Sequence, residues 1–245
     1  MRVLSLVHGR EARSGVFGEA IRAAGHELEE RSFTLARPPL GPAESYDAAM
    51  VFGGSMNVHE VDGHPWIHEE ERFLERILEL GVPLLGVCLG SQLVASIAGA
   101  EVKRATRPEI GWCEVDRLAE GHDDPLLAHF PDRFLAFQWH SYQFSLPPGG
   151  MPLAASPVCL QAFRLDGTAW GIQFHAEVTH EIVATWISHY RTDPDALALG
   201  LDPTRELAQL EREIDTWNVL GRALIRGFLG VAAERRATGA QHASA

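Results

Sequence analysis

The sequence predicts an α/β fold: a doubly wound, mostly parallel central sheet with an antiparallel extension and C-terminal helices. Three observations carry this prediction. Short apolar runs of strand length alternate with helical periodicities through the first hundred residues, the order expected when helices cover both faces of a parallel sheet. After Gly99 the alternation gives way to successive strand-like segments. A long stretch with apolar residues every three or four positions then closes the chain.

In order, residues 3–7 read as a first central strand, residues 8–15 as a polar loop and residues 16–24 as a helix ended by Gly25. A weakly alternating strand at 27–33 fits a sheet edge, and Pro38, Pro39, Gly41 and Pro42 enforce a loop. Residues 46–52 form a buried strand that delivers Gly53-Gly54-Ser55, and residues 58–65 form a polar rim loop. Ile67, Phe73, Leu74, Ile77 and Leu78 stripe the next helix, with Glu69, Glu70 and Glu71 near its favourable N-terminal end and Gly81 after it. Leu84, Leu85 and Val87 make a central strand, and Leu93, Val94, Ile97 and Ala98 begin a helix that stops at Gly99.

Further strands are expected at 101–103, 112–118, 134–139, 153–155, 158–164 and 169–174, the last two joined by an Asp166-Gly167 hairpin signal. Residues 179–190 read as a helix with Ile182, Val183, Trp186 and Ile187 facing inward. Pro194 marks a boundary, and Asp202-Pro203 starts the long helix striped by Leu207, Leu210, Ile214, Trp217, Leu220, Leu224 and Phe228. The expected organisation is a main domain over 1–192, a helical extension over 193–231 and a disordered tail over 232–245. The long helix is expected to pack on its own chain, with a homodimer contact as the alternative.

Composition narrows the function classes. Lysine and arginine total 21 against 33 acidic residues, so the net charge is 21 − 33 = −12, with no basic stripe for nucleic acid. The three cysteines, Cys88, Cys113 and Cys159, form no Cys-x-x-Cys pair, which fits a reduced, cytoplasmic setting. No apolar run reaches membrane-spanning length and the opening one is too short for a secretory signal, so a soluble protein is expected. His59, His64 and His68 lack a recognised ligand spacing and read as surface-loop histidines, so no metal is expected.

The chemistry centres on residues 83–92, Pro-Leu-Leu-Gly-Val-Cys-Leu-Gly-Ser-Gln. Strand, cysteine, tight turn and helix make a nucleophile elbow, with Gly86, Cys88 and Gly90 spaced as in Gly-x-Ser-x-Gly. The partial positive charge of the following helix N-terminus favours thiolate, the nucleophilic form. Alone, Cys88 reads equally as a small buried hydrophobe. A nucleophile needs a base and an orienting group, and His175 and Glu177 supply both, two residues apart at the end of the 169–174 strand and therefore on one face of an extended chain. Gly53-Gly54 allows close backbone approach, so the amides of Gly54 and Leu89 are candidate oxyanion donors; a plain turn is the other reading.

Gly-Val-Cys-Leu-Gly-Ser-Gln, Phe-His-Ala-Glu and Phe52-Gly53-Gly54-Ser55, each at its own place in the chain, together resemble the class I (triad) glutamine amidotransferases. The resemblance covers residues 1–190 and is strongest to the glutaminase domain of GMP synthases and its free-standing relatives. It implies a flavodoxin-like fold, a Cys88-His175-Glu177 triad, no cofactor, and hydrolysis of the side-chain amide of L-glutamine, with ammonia passing to a separate synthetase. It also implies that Trp139, Ser141 and Tyr142, with Gly53 and Gln92, receive the amino-acid end of the substrate; simple packing of Trp139 and Tyr142 is the alternative. Ala176 and Ser91 depart from residues frequent in the family, and neither is a triad position. A stand-alone γ-glutamyl peptide or amide hydrolase would use the same motifs, and a catalytically silent binding module is the reading outside enzymology.

Overall fold

The computed structural model describes residues 1–9, 13–34 and 41–242, with side chains described as far as residue 238. The loop expected at Pro38 and Pro39 lies outside the described residues, as do residues 10–12 and 243–245. The elements in chain order are β1 (Arg2–Leu6), α1 (Gly15–Ala23), β2 (Glu27–Arg31), β3 (Ala48–Val51), α2 (Trp66–Glu79), β4 (Leu84–Val87) and α3 (Leu89–Ile97). They continue with β5 (Val102–Arg117), β6 (Arg133–Phe144), β7 (Met151–Ala155), β8 (Leu160–Leu165), β9 (Ala169–Ile172), α4 (His180–Ser188), α5 (Pro194–Ala198) and α6 (Pro203–His242).

The strands form one sheet in the order β2-β1-β3-β4-β9-β8-β7-β5-β6. From β2 to β9 the pairings are parallel, and from β9 to β6 they are antiparallel. The parallel half needs covering on both faces, and its strands accordingly read as continuous apolar runs: β3 and β4 are buried at every residue. Two apolar clusters sandwich the sheet. One gathers α1, α4 and α6, with Phe17, Val183, Trp217 and Phe228 at its centre; the other gathers α2 and α3, with Leu74, Ile77, Leu93 and Val94. The β8–β9 turn has Asp166 and Gly167 both at positive φ, the type I′ geometry that suits the twist of a tight hairpin.

Four expectations require correction. Residues 101–103 and 112–118 are not separate strands: they belong to the single strand β5, which pairs with β6 on both sides of an irregularity between Arg104 and Glu109. β9 ends at Ile172, not at residue 174, so His175 and Glu177 do not share a strand face. The tail does not become disordered at 232: α6 runs to His242, with Ala232 in the core, Arg235 donating to the Leu80 carbonyl and Arg236 paired with Asp47 at 3.2 Å. Leu207, placed on the buried stripe of that helix, is 41% exposed, because the helix reaches the core only from Leu210 onward. The remaining stripe residues are buried or packed against the core, and Gly221 lets α6 approach the sheet's loops so closely that a Cβ there would sit 2.2 Å from the Ala176 carbonyl oxygen.

Candidate active site

The C-terminal ends of β3, β4 and β9 meet at one edge of the parallel half-sheet, the place where open α/β sheets receive ligands. β4 brings Cys88 there. Its backbone sits at φ 53°, ψ −111°, a conformation that costs a non-glycine residue strain and that the flanking chain must enforce. The enforcement is steric. A Cβ on Gly86 would meet Gly90 and Ser91 backbone atoms at 2.5–2.7 Å, and one on Gly90 would lie 2.0 Å from the Val51 carbonyl oxygen, so the turn closes only with glycine on both sides. The Cys88 N–H donates to Ile172 at 2.8 Å, tying the elbow to β9. Leu89 is the first residue of α3, where backbone N–H groups have no intrahelical acceptor.

His175 follows β9 on an irregular segment, and tertiary contacts fix it. Its N–H donates to the Phe137 carbonyl at 2.9 Å, its carbonyl accepts from the Trp217 indole at 2.8 Å, and its ring meets Trp186 edge-on with centroids 4.8 Å apart. Nδ1 lies 2.7 Å from Glu177 Oε1, both side chains being buried. Burial opposes charge on this ring, but the Glu177 carboxylate and the Cys88 sulfur, which lies within hydrogen-bonding reach of it, outweigh that cost and push the imidazole pKa up to about 10. The arrangement favours the protonated form of the imidazole beside the sulfur. With one imidazole nitrogen engaged by Glu177, the other faces Cys88.

Gly53 abuts both groups: a Cβ on it would stand 3.0 Å from His175 Cε1 and 3.8 Å from Cys88 Sγ. The cavity around them is about 780 Å³, within the range of small-molecule sites, and Gly53, Gly54, Leu89, Gln92, Trp139, Ser141 and Tyr142 all line it beside Cys88 and His175. Glu177 lies behind His175 rather than on the wall. Gln92 donates to the Tyr142 carbonyl at 3.1 Å and to Gln173 Oε1 at 3.2 Å, so it ties α3 to the β6 wall. The Trp139 carbonyl faces Cys88 Sγ at 3.9 Å.

Several lining groups carry no clear signal in the sequence. The Trp139 indole donates to Asp193 at 2.8 Å, the Ser141 hydroxyl donates to Asp195, and Arg104 pairs with that same carboxylate. The only sequence signal is Pro194, which marks a boundary and no more. His8 also lines the cavity, although its position suggests only a loop. Under the β6 wall, Glu109 Oε2 accepts from Gln161 at 2.7 Å, Ser156 at 3.0 Å and Cys159 at 3.5 Å, with His140 Nε2 at 3.3 Å. Burial disfavours that carboxylate's charge, yet His140 and these donors hold it below the usual range. An oxygen so fully engaged reads as the hub of an internal network rather than as a free ligand. His59, His64 and His68 are apart from it, His59 meeting the Val102 carbonyl and His68 meeting Glu71.

Comparison with known proteins fits this geometry. The model of the family "Glutamine amidotransferase class-I" matches residues 19–186. The chain belongs to the class I glutamine amidotransferase family. As a class I glutamine amidotransferase, it is an enzyme of amide chemistry with a flavodoxin-like fold. It is 35% identical over 192 residues to the GMP synthase of Aeropyrum pernix, an alignment covering 75% of this chain and 33% of that protein, so it spans about a third of that relative's length. A glutamine-hydrolysing GMP synthase subunit from Saccharolobus solfataricus is 32% identical over 149 residues, covering 58% of this chain and 75% of that one. Among solved structures, a glutamine amidotransferase from Thermotoga maritima superposes with a TM-score of 0.82 at 31% identity, covering 93% of this chain and 98% of that chain. Among the described residues, no helix is long and apolar enough to cross a membrane.

Proposed function

We propose that this chain hydrolyses the side-chain amide of L-glutamine through Cys88, His175 and Glu177, and that the ammonia passes to a separate synthetase. The observation that carries the reading is the placement of the His175 imidazole beside the Cys88 sulfur, with its Nδ1 2.7 Å from the Glu177 carboxylate. The thiolate adds to the amide carbon, and the Gly54 and Leu89 N–H groups stabilise the oxygen's negative charge. As the C–N bond breaks, the imidazolium gives its proton to the departing nitrogen, leaving a γ-glutamyl thioester and ammonia. Water then attacks the thioester and loses a proton to His175, and the C–S bond breaks to release glutamate and the thiolate–imidazolium pair. No step calls for a cofactor. Trp139, Ser141, Tyr142, Gln92 and Gly53 form the wall that receives the amino-acid end.

The direct test is trapping. A γ-glutamyl thioester on Cys88 is expected by mass spectrometry after acid quench. Cys88→Ala should fold as the wild type does and release no ammonia; substantial release from it would remove Cys88 from the mechanism. The isolated chain is expected to be slow, since a synthetase docked near Gly53 and the segment His59–His68, a loop that runs into the first turn of α2, needs only a few kcal/mol of differential binding to populate the productive state.

A second reading, a self-sufficient γ-glutamyl peptide or amide hydrolase, draws on the same wall. The cavity extends past the nucleophile to Arg104, Asp193 and Asp195, leaving charged groups for a leaving amine bulkier than ammonia. Comparing ammonia release from glutamine with amine release from γ-glutamyl compounds, with and without added synthetase, separates the two. Efficient partner-free cleavage of a bulky amide would select the second.

A further inference from the structure

The His8 and Glu70 side chains form a fully buried pair beside the Gly53–Gly54 segment, and the reaction described above does not use them. His8 follows β1, the first strand, and Glu70 comes from α2. Nε2 of His8 stands 2.8 and 3.1 Å from the two Glu70 oxygens, and both side chains are 0% exposed. The ring stacks on Trp66 with centroids 5.2 Å apart, and the backbone is pinned by Thr34, whose hydroxyl donates to the His8 carbonyl at 2.9 Å. Nδ1 points the other way. It lies 3.0 Å from the Phe52 carbonyl oxygen and 3.2 Å from that of Gly53.

Carbonyl oxygens accept only, so Nδ1 carries a proton, while Nε2 is held on the other side by the Glu70 carboxyl group. Burial opposes charge on the ring, but Glu70, seconded by the two carbonyls, outweighs it and raises the imidazole pKa. The consequence lies one bond further on. In a trans peptide the C=O and the next N–H point in opposite directions, so a Gly53 carbonyl captured by His8 turns the Gly54 N–H away from His8. Among the described residues no backbone carbonyl accepts a hydrogen bond from that N–H. Donation to the Gly53 carbonyl also polarises the peptide and strengthens the Gly54 N–H as a donor.

We propose that His8, anchored by Glu70, is a positioning residue for the oxyanion hole, fixing the Gly53–Gly54 peptide with its N–H turned toward the oxygen that gains charge when Cys88 attacks. This rests on the amide-hydrolase reading given above. It separates His8 from a core histidine that merely fills space, because a space-filler would affect stability and not the chemical step.

The test compares two variants with the wild type on glutamine and on γ-glutamyl p-nitroanilide, and measures alkylation of Cys88 by iodoacetamide, a displacement in which no oxyanion develops. His8→Leu combined with Glu70→Met removes the donor without stranding a buried charge. His8→Asn keeps a donor near the Nδ1 position. Loss of one oxyanion donor typically costs about a hundredfold in kcat or more, so the double variant is expected to lose about that factor with KM and alkylation rate nearly unchanged. His8→Asn is expected to stay within about fivefold of wild type, a small fraction of that donor's contribution. A double variant with wild-type kcat overturns the proposal, and so does a His8→Asn variant that alkylates normally yet loses kcat as severely as the donor-free form should. If the double variant does not fold, His8→Leu alone supplies the donor-free form, and wild-type kcat in it overturns the proposal. A wild-type chain that alkylates at Cys88 but turns over neither amide would instead overturn the hydrolase reading, and the His8 assignment with it.

Discussion

Cys88 is positioned by residues within a few places of it in the chain and by the strand beside it, whereas His175 is positioned by Phe137 on β6, Trp186 on α4 and Trp217 on α6, the last 42 residues away. The elbow is a local solution: two glycines, a short apolar strand and a helix start produce it wherever they occur together. The histidine segment is a tertiary solution, an irregular piece of chain that gains its geometry from whatever packs on it. Damage to the first should therefore abolish the fold or the nucleophile outright, while damage to the second should be graded.

The largest effect expected is at the elbow. Gly90→Ala puts a Cβ 2.0 Å from the Val51 carbonyl oxygen, and neither backbone can yield without breaking the β3–β4–α3 unit. A destabilisation on the order of 4–5 kcal/mol or failure to fold is expected in denaturant titration. A Gly90→Ala chain with an unchanged transition midpoint would show that the elbow is less constrained than its contacts say.

Next come the two members of the histidine limb. On the proposed mechanism His175→Ala removes the proton carrier itself, and Glu177→Gln leaves it in place but less well oriented; by analogy with established triads the first should cost about a hundredfold more in kcat than the second. The pH profile sharpens the distinction. Glu177 helps raise the His175 pKa from 6.5 to about 10, so loss of its charge must lower it, and the basic limb of kcat/KM should move to lower pH in Glu177→Gln. An unmoved limb would take Glu177 out of the triad.

The smallest effect expected is at Trp217. Trp217→Phe keeps a ring among Phe130, Phe134 and Phe174 but loses the indole donor to the His175 carbonyl. A stability loss of about 1 kcal/mol is expected from the lost hydrogen bond. A drop in kcat of about threefold, equivalent to less than 1 kcal/mol, should accompany it with the alkylation rate of Cys88 unchanged. If kcat and alkylation fell together, the two halves of the site would be coupled more tightly than their separate supports imply.

The sequence by itself determined the strand–helix alternation, the elbow at Cys88, the candidacy of His175 and Glu177 and the glycine pair at 53 and 54. Each is encoded within a window of about ten residues by apolar spacing, by glycine where the backbone must turn or approach closely, and by reactive side chains at strand ends. Only the tertiary structure decided the rest. The expected strand face shared by His175 and Glu177 does not exist, yet the two meet at 2.7 Å because β6, α4 and α6 hold the segment from outside it. His8 and Glu70, 62 positions apart, carry no mutual signal in the chain, nor do Arg104 and Asp195. Periodicity reports which face of an element is buried but not which other element buries it, so side chains that meet across the sheet become visible only when the sheet closes.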